Sequence, residues 1–203
     1  MSVRQAKQLV RQQRLKRAGI VAELDVHAIA PGGLRGGWTV HPDVLDSSSI
    51  VYAFGVGSNI EWDKEMCRRF GLTLHAFDPT PRAISWIRSQ SLPDNLHFHE
   101  YGIAAHDGVV NFYPPRRSTS YNFSPIDRDG RVQSDGRIEA PVRRLGTIMR
   151  ELGHTRVDVL KVDIEGGEYD VIHDFLGEKL DVGQLLVEFH HNYRTVPFER
   201  TVD

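Results

Sequence analysis

The chain is poor in cysteine and has no long apolar run. Cys67 is the single cysteine among 203 residues, which excludes an internal disulfide framework and favours a reducing compartment. No stretch reaches the roughly 18 apolar residues of a membrane-spanning helix, and the N-terminal MSVRQAKQLVRQQRLKRAG lacks the apolar core of a signal peptide. These absences predict a soluble, cytoplasmic protein with no membrane partner.

An excess of charge of either sign is also missing. The formal net charge is −2 and the pI is about 6.5, so no overall field favours nucleic acid as a partner. Residues 1–18 contain cations and no acid, but no aromatic residues lie between them. This pattern favours a solvated basic helix over contact with RNA or a membrane.

With 40% hydrophobic residues, the chain is long enough to bury a full core. We predict that residues 1–48, a basic helix followed by a glycine-rich loop at 29–48, pack on a core domain at 49–203. Trp38 and Tyr121 could together form an aromatic wall of a binding site, but packing of the N-terminal segment on the core is favoured for Trp38.

Short β-branched or aromatic runs alternate with helical patterns from residue 49 onward. The runs predict strands at 49–54, 72–77, 95–101, 157–164 and 184–191. Apolar residues at helical spacing predict four intervening helices, around Trp62–Phe70, Ala83–Ile87, Leu145–Leu152 and Tyr169–Leu176. The alternation predicts an α/β fold with a mostly parallel sheet and helices on both faces.

Two further short strands are predicted at 109–113 and 136–142, on either side of the polar segment 114–135. A connection of that length in a compact domain is either disordered or a lid. Only 12 residues follow the last predicted strand, so either the sheet is abbreviated at its C-terminal end or the chain is truncated.

The stretch VYAFGVGSNIEWD carries the first functional signal. Gly55 and Gly57 stand where the first strand of the sheet should end, and Asn59 can cap the following helix. Open α/β sheets bind ligands at this position. A bound nucleoside also needs an acid about 20 residues further on, at the end of the next strand, to hold the ribose hydroxyls. Asp78 is that acid.

The residue after the glycine turn favours one nucleoside over another. A dinucleotide fold places Gly or Ala where this chain has Ile60, and a pyrophosphate would meet Glu61 and Asp63 in the first helical turn. A nucleoside with a sulfonium and no phosphate avoids both conflicts. The sequence therefore favours S-adenosylmethionine over NAD as cofactor. Alternatively, the glycines only make a tight turn and Asp78 only caps the next helix.

A second cluster follows a buried strand in LKVDIEGGEYDVI. Strand alternation predicts that Lys161, Asp163 and Glu165 point to one side, at the ligand end of the sheet. Glu168 is expected to cap the helix that begins there.

Six motifs, spread over residues 51–191, resemble the FkbM family of S-adenosylmethionine-dependent methyltransferases. They are FGVGSN, AFDPTP, GIAAHDGVVNFY, VRRLGTIM, LKVDIEGGEYDVI and LLVEFHH. The resemblance implies a Rossmann-like class I methyltransferase fold and methyl transfer to a hydroxyl of a small molecule or saccharide. It further implies that Gly55, Gly57 and Ser58 line the methionine end of the cofactor, Asp78 and Pro79 hold the ribose, Gly102, Ile103 and Ala104 border the adenine, and Asp163 lies near the reacting groups.

An alcohol acceptor must lose a proton, so a general base is expected. The candidates are His190 and the pair Asp163 and Glu165. These residues with Glu188 could instead converge on a divalent metal, but no tight ligand spacing supports this, and no metal is predicted.

Two alternative functions remain open. Ala53 stands where the family commonly carries an acid, which together with the short C-terminal part fits a catalytically silent domain that binds the cofactor or acts as a scaffold. The other alternative, an NAD-type dehydrogenase, is disfavoured by Ile60.

Overall fold

The computed structural model describes residues 13, 16–19, 27–31, 37–115, 120–128, 136–191 and 193–202. Its strands are β1 (Ile50–Phe54), β2 (Thr73–Phe77), β3 (Leu96–His99), β4 (Gly102–Ile103), β5 (Gly108–Phe112), β6 (Ile138–Arg143), β7 (Arg156–Val162) and β8 (Asp181–Val187). Its helices are α1 (Glu61–Phe70), α2 (Pro81–Ile87), α3 (Leu145–Leu152), α4 (Glu168–Glu178) and α5 (Glu199–Val202), preceded by a 3-10 turn at Pro42–Val44.

A parallel five-stranded sheet forms the centre of the domain, in the order β3-β2-β1-β7-β8. The order reverses beside β1, which makes the carboxyl ends of β1, β2 and β7 the expected ligand edge. A smaller sheet, β4-β6-β5, stands beside it. The predicted α/β fold with a mostly parallel sheet is confirmed.

Alternate residues of β1 pack into two separate cores, because successive side chains of a strand point to opposite faces of the sheet. Val51 and Ala53 pack with α1 residues on one face, and Tyr52 and Phe54 pack with α3 and α4 residues on the other. The helices therefore cover both faces. Since all of β1 except Ile50 is buried, it reads as a continuous apolar run, as expected for a parallel strand covered on both sides.

Two helix ends follow the sequence signals. Gly71 and Gly153 end α1 and α3 in left-handed conformation, with φ of 69° and 76°. The apolar spacing placed Leu176 on the buried face of α4. This prediction was wrong, because Leu176 is 62% exposed. Val171 and Phe175 are the buried residues of that face.

The predicted strand ends also needed correction. β7 stops at Val162 because Glu165 turns the chain with φ of 56°. β8 covers 181–187 rather than 184–191, so His190 and His191 follow the strand instead of ending it. The predicted strand at 95–101 is shorter, because β3 covers Leu96–His99. β4 was not predicted, and it belongs to the smaller sheet.

The segment before β1 packs on the first core. Trp38 contacts that core, and the Lys161 Nζ lies 5.1 Å from its ring centre, so the predicted packing role of Trp38 is confirmed. Most of the predicted basic helix and part of the glycine-rich loop lie outside the described residues. None of the described helices is both long and apolar enough to cross a lipid bilayer.

Cys67 is 3% exposed on the inner side of α1. Burial raises the pKa of its thiol to about 12, so almost no thiolate forms near neutral pH. We expect Ellman's reagent at pH 8 to leave Cys67 unmodified in the folded protein and to react within minutes in denaturant. Rapid reaction of the folded protein would contradict this packing.

Four histidines gather under the second face, around Tyr52. Nδ1 of His75 lies 2.9 Å from Nε2 of His99, and Nδ1 of His154 lies 2.7 Å from the Tyr52 hydroxyl. The ring centres of His97 and His75 lie 5.2 Å apart, with the two rings tilted by 35°. Burial lowers the pKa of His75 to about 3, with contributions from the neighbouring imidazoles.

This depressed pKa predicts acid sensitivity. Below about pH 6.5 His75 is protonated in the unfolded chain but stays neutral in the folded protein. The free energy of unfolding therefore falls by about 1.4 kcal/mol per pH unit from this residue as the pH falls from 6.5 toward 3. Urea titrations should show that the free energy of unfolding falls less between pH 7 and pH 5 in His75→Phe than in the wild type. Exposed His106 provides the control, because His106→Phe should leave the difference unchanged.

Candidate functional site

A cavity of about 450 Å³ opens at the carboxyl ends of β1 and β2. Residues from five parts of the chain line it: the turn after β1, the end of β2, the smaller sheet, and segments 120–125 and 163–165. The lining residues are Phe54–Asn59, Phe77–Thr80, Gly102, Ile103, Phe112, Ser120–Phe123, Pro125 and Asp163–Glu165. Such a volume lies within the range of small-molecule sites.

The glycine turn leaves β1 in a conformation that suits only glycine. Gly55 and Gly57 have φ of 84° and 56°. A Cβ on Gly55 would lie 1.7 Å from the Asp163 carbonyl oxygen, so the turn passes directly against the chain that leaves β7. Asn59 does not occupy the N-cap position, which is Ile60, but its Oδ1 accepts a hydrogen bond from the Glu61 amide at 3.1 Å.

Asp78 braces this turn from the end of β2. It is 5% exposed, and its Oδ2 accepts a hydrogen bond from the Gly57 amide at 3.0 Å. Its Oδ1 accepts from the amide and hydroxyl of Thr80 at 2.9 and 2.7 Å. Burial raises the pKa of the carboxyl, and these donors oppose the rise. Asp78 therefore joins the two strand ends in addition to lining the cavity.

Most of the residues predicted to bind a cofactor share this cavity. Gly55, Gly57, Ser58, Asp78, Pro79, Gly102, Ile103 and Asp163 line it, whereas Ala104 instead packs against the small cluster around Phe112. Tyr121 also lines it and Trp38 does not. The binding roles of these residues stay predictions.

Two residues expected at the ligand end of the sheet are not among those that line the cavity. Lys161 lies in the buried part of β7, and its Nζ is 5.1 Å from the centre of the Trp38 ring. Asp63 is 2% exposed and points inward. Its Oδ1 has no hydrogen-bond partner among the described residues, and burial raises its pKa while Lys161 opposes the rise. Asp63 therefore does not face a ligand.

Asp163, Glu165 and His190 converge at one side of the cavity. Nε2 of His190 lies 3.5 Å from Glu165 Oε2 and 3.8 Å from Asp163 Oδ1. Burial raises the pKa of Asp163 to about 6, Glu188 adds to the rise, and Lys161 and His190 oppose it. His190 is 8% exposed and does not line the cavity itself, so Asp163 and Glu165 stand between it and a bound molecule.

Glu168 holds His190 in place from the start of α4. It is fully buried, and its Oε1 lies 2.8 Å from Nδ1 of His190. The same carboxylate accepts hydrogen bonds from the amides of Ile164 and Gly166 at 3.2 and 3.0 Å. The predicted helix cap at Glu168 was wrong, because the N-cap position is Gly167 and no described side chain caps the helix. The amides that Glu168 accepts from precede the helix, and the sequence carried no sign of the contact with His190.

Residues 120–128, which we call the strap, cross the cavity and attach to Glu165. Asn122 donates to Glu165 Oε1, and Arg128 donates to Oε2 at 3.0 Å. The Tyr193 hydroxyl donates to the same Oε2. The Ser124 hydroxyl, which is fully buried, lies 2.6 Å from the Glu165 carbonyl oxygen. Burial raises the pKa of Glu165, while His190 and Arg128 oppose the rise.

Sequence reasoning missed Asn122, Arg128 and Tyr193. Asn122 and Arg128 lie in the polar segment 114–135 and Tyr193 lies near the C-terminal end, where no periodic pattern marks functional residues. The one available signal was the length of the segment 114–135, which is typical of a disordered connection or a lid. The remaining parts of the polar connection, 116–119 and 129–135, lie outside the described residues.

Comparison with known proteins shows the family. The family model described as "Methyltransferase FkbM domain" matches residues 52–200. Similar curated proteins include the probable methyltransferase-like protein 24 of Homo sapiens, which is 27% identical over 69% of this chain and 32% of its own length. The 2-O-methyltransferase NoeI of Sinorhizobium fredii is 29% identical over 49% of this chain and 46% of its own length.

A solved structure titled as an FkbM methyltransferase from Methylobacillus flagellatus matches with a TM-score of 0.43 and 11% identity, over 70% of this chain and 34% of that one. The matches span between about a third and a half of the length of the two curated relatives. The family model covers more than half of the chain. The chain therefore belongs to the FkbM methyltransferase domain family.

Proposed function

We propose that this domain transfers a methyl group from S-adenosylmethionine to a hydroxyl of a small molecule or saccharide. The observation that carries the proposal is the placement of the two-glycine turn, the Asp78 carboxylate and the Asp163 carboxylate in the lining of one cavity. The family supplies the reaction class, and the 2-O-methyltransferase among the relatives supports an oxygen acceptor.

The chain's residues fit this cofactor in size and charge. A cavity of about 450 Å³ can enclose a nucleoside that carries an amino acid. Two buried or half-buried carboxylates, Asp78 and Asp163, suit a ribose and a sulfonium better than they suit phosphates. Gly57 has no side chain, and a Cβ added there would lie 3.9 Å from the Cβ of Tyr121. The backbone at Gly57 is therefore open to the close approach of a ligand.

S-adenosylmethionine supplies a methyl group on a positively charged sulfur, which keeps the bonding electrons when a hydroxyl oxygen takes the methyl carbon. Asp163 is placed to accept the proton that the hydroxyl loses. Its pKa of about 6 leaves it mainly ionised at neutral pH but closer to the operating pH than an ordinary carboxylate. Glu165 is less suited to this role because three donors occupy its oxygens. The strap contributes Tyr121 and Phe123 to the cavity lining, and their rings would help to exclude water from the transfer.

Calorimetry with S-adenosylmethionine tests the proposal. We expect the wild type to bind it and Asp78→Ala to bind at least about tenfold more weakly, because a charged hydrogen-bond acceptor is lost. Exposed Asp94 gives the matched control, and Asp94→Ala should bind like the wild type. Since Asp78 also braces the glycine turn, urea titration of the variant must show a folded protein.

A panel of hydroxyl compounds then separates the functions. Methyl ether formation with wild-type protein supports the proposal, and its loss in Asp163→Asn supports the assigned base. Binding without turnover on the whole panel favours a silent domain. Binding of NADH in place of S-adenosylmethionine favours a dehydrogenase and contradicts the proposal.

A further inference from the structure

We propose that Asp163, Glu165 and His190 bind a divalent transition-metal ion at the edge of the cavity. Each residue offers one ligand atom, and the three atoms lie within 4.8 Å of one another. Metal binding at this position is independent of methyl transfer, whereas the use of the ion to activate an acceptor hydroxyl rests on the proposed function.

The spacing of the ligand atoms suits a small cation. Nε2 of His190 lies 3.5 Å from Glu165 Oε2 and 3.8 Å from Asp163 Oδ1. Ligands at about 2.1 Å from a tetrahedral ion are separated by about 3.4 Å. The two separations from His190 therefore lie within a few tenths of an ångström of this spacing, and the two carboxylate ligand atoms lie within 4.8 Å of each other.

The hydrogen bond between His190 and Glu168 prepares the imidazole as a ligand. Glu168 is fully buried and accepts two amide hydrogen bonds, so it is held as an acceptor. Nδ1 of His190 lies 2.8 Å away, and coordination of a metal at Nε2 requires that Nδ1 carry the ring proton and donate it to Glu168. The lone pair of Nε2 then faces the other two carboxylates. Histidine ligands in metalloproteins are oriented by such a carboxylate behind the ring.

The local charges favour a cation at this point. Three carboxylates, Asp163, Glu165 and Glu168, lie within 4 Å of the His190 ring nitrogens. Among the described side chains, Arg128 is the cation in ion-pair contact with any of the three, and Lys161 acts on Asp163 from farther away. A divalent ion would neutralise the negative charge that these three carboxylates gather around the ring.

The hydrogen bonds on Glu165 are compatible with a ligand role. Asn122, Arg128 and Tyr193 fix the carboxylate in one orientation, and Glu165 is one of the few residues other than glycine with positive φ among those described. Ligating carboxylates commonly carry outer hydrogen bonds that orient them. Strained backbone conformations concentrate at functional sites.

The position of the site gives the ion access to a ligand. Asp163 and Glu165 both line the cavity, so coordination positions opposite His190 face the bound molecule. An ion with open positions lowers the pKa of a coordinated hydroxyl. One imidazole and two carboxylates suit Zn²⁺ or Mn²⁺ better than Mg²⁺, which prefers oxygen ligands alone.

Equilibrium dialysis of tag-free, chelator-treated protein against zinc or manganese chloride tests the proposal. We expect one ion per folded chain. His190→Ala and Asp163→Asn should each weaken binding more than tenfold, and Glu168→Gln by about tenfold because it disturbs the orientation of His190. Exposed His173 on α4 is the matched control, and His173→Ala should bind like the wild type.

Two results would overturn the proposal. One is unchanged stoichiometry and affinity in both His190→Ala and Asp163→Asn, which would place the ion elsewhere, for example at the histidines around Tyr52. The other is no binding by the wild type, with nitrogen NMR showing His190 as an imidazolium under saturating metal. The NMR measurement needs no variant, so misfolding of a variant leaves the proposal testable.

The two proposals fail in different ways. A bound ion with no methyl transfer on any hydroxyl compound would support the metal site and contradict the proposed function. Methyl transfer that survives chelation, by a protein that binds no ion in dialysis, would support the proposed function and contradict the metal site.

Discussion

Gly55→Ala should destabilise the fold by at least about 3 kcal/mol. The residue has φ of 84°, which costs a non-glycine residue about 1–2 kcal/mol. The added Cβ would also lie 1.7 Å from the Asp163 carbonyl oxygen and 2.8 Å from its carbon. Since both are backbone atoms, relief requires the ends of β1 and β7 to separate. Both ends form the cavity wall, so cofactor binding should fall with stability.

Gly153→Ala separates the clash from the backbone conformation. Gly153 has φ of 76°, close to that of Gly55, but a Cβ there meets nothing within 4 Å. Urea titrations should therefore show a loss of about 1–2 kcal/mol for Gly153→Ala and clearly more for Gly55→Ala. Equal losses in the two variants would mean that the close approach to Asp163 is not what requires glycine.

Glu165→Ala should release the strap and lower the free energy of unfolding by about 3 kcal/mol. The change deprives Asn122, Arg128 and Tyr193 of their shared acceptor. Arg128, whose side chain is 19% exposed, would lose its partner in a largely buried ion pair, and such losses cost about 3–5 kcal/mol when burial is complete. Alanine keeps the unfavourable φ of 56°, so the measured loss comes from the side chain.

Hydrogen exchange locates the effect. Amides of residues 120–128 should exchange faster in Glu165→Ala, while those of β1 and β2 should keep their protection. Glu139→Ala, at an exposed position in β6, controls for the lost charge. It should leave the exchange rates of the strap and of β1 and β2 unchanged. Retained protection of the strap would show that Ser124 and the neighbouring backbone bonds hold it without Glu165.

The fold could be predicted because each of its elements carries a local signal. Local signals locate the alternating strands and helices: the apolar runs mark β1, β2 and β7, and glycines mark the ends of α1 and α3. Strand ends were less predictable. The stop of β7 depends on the left-handed Glu165, a residue type with no preference for that conformation. The shift of β8 moved His190 out of the sheet.

The site could be predicted where backbone geometry and strand order determine it. Gly55, Gly57, Asp78 and Asp163 meet because the carboxyl ends of neighbouring parallel strands share an edge. Contacts between distant segments could not be predicted in this way. The Glu168 contact with His190 and the strap contacts with Glu165 join residues 22 to 43 positions apart, and no local pattern encodes such pairs.

Arg128 and Tyr193 are bound to each other as well as to Glu165. The Arg128 guanidinium lies 4.9 Å from the centre of the Tyr193 ring, and the Arg194 amide donates to the Arg128 carbonyl at 3.2 Å. These contacts join the strap to the segment that begins at Tyr193, so a displacement of the strap from the cavity would have to break the contacts with this second segment as well.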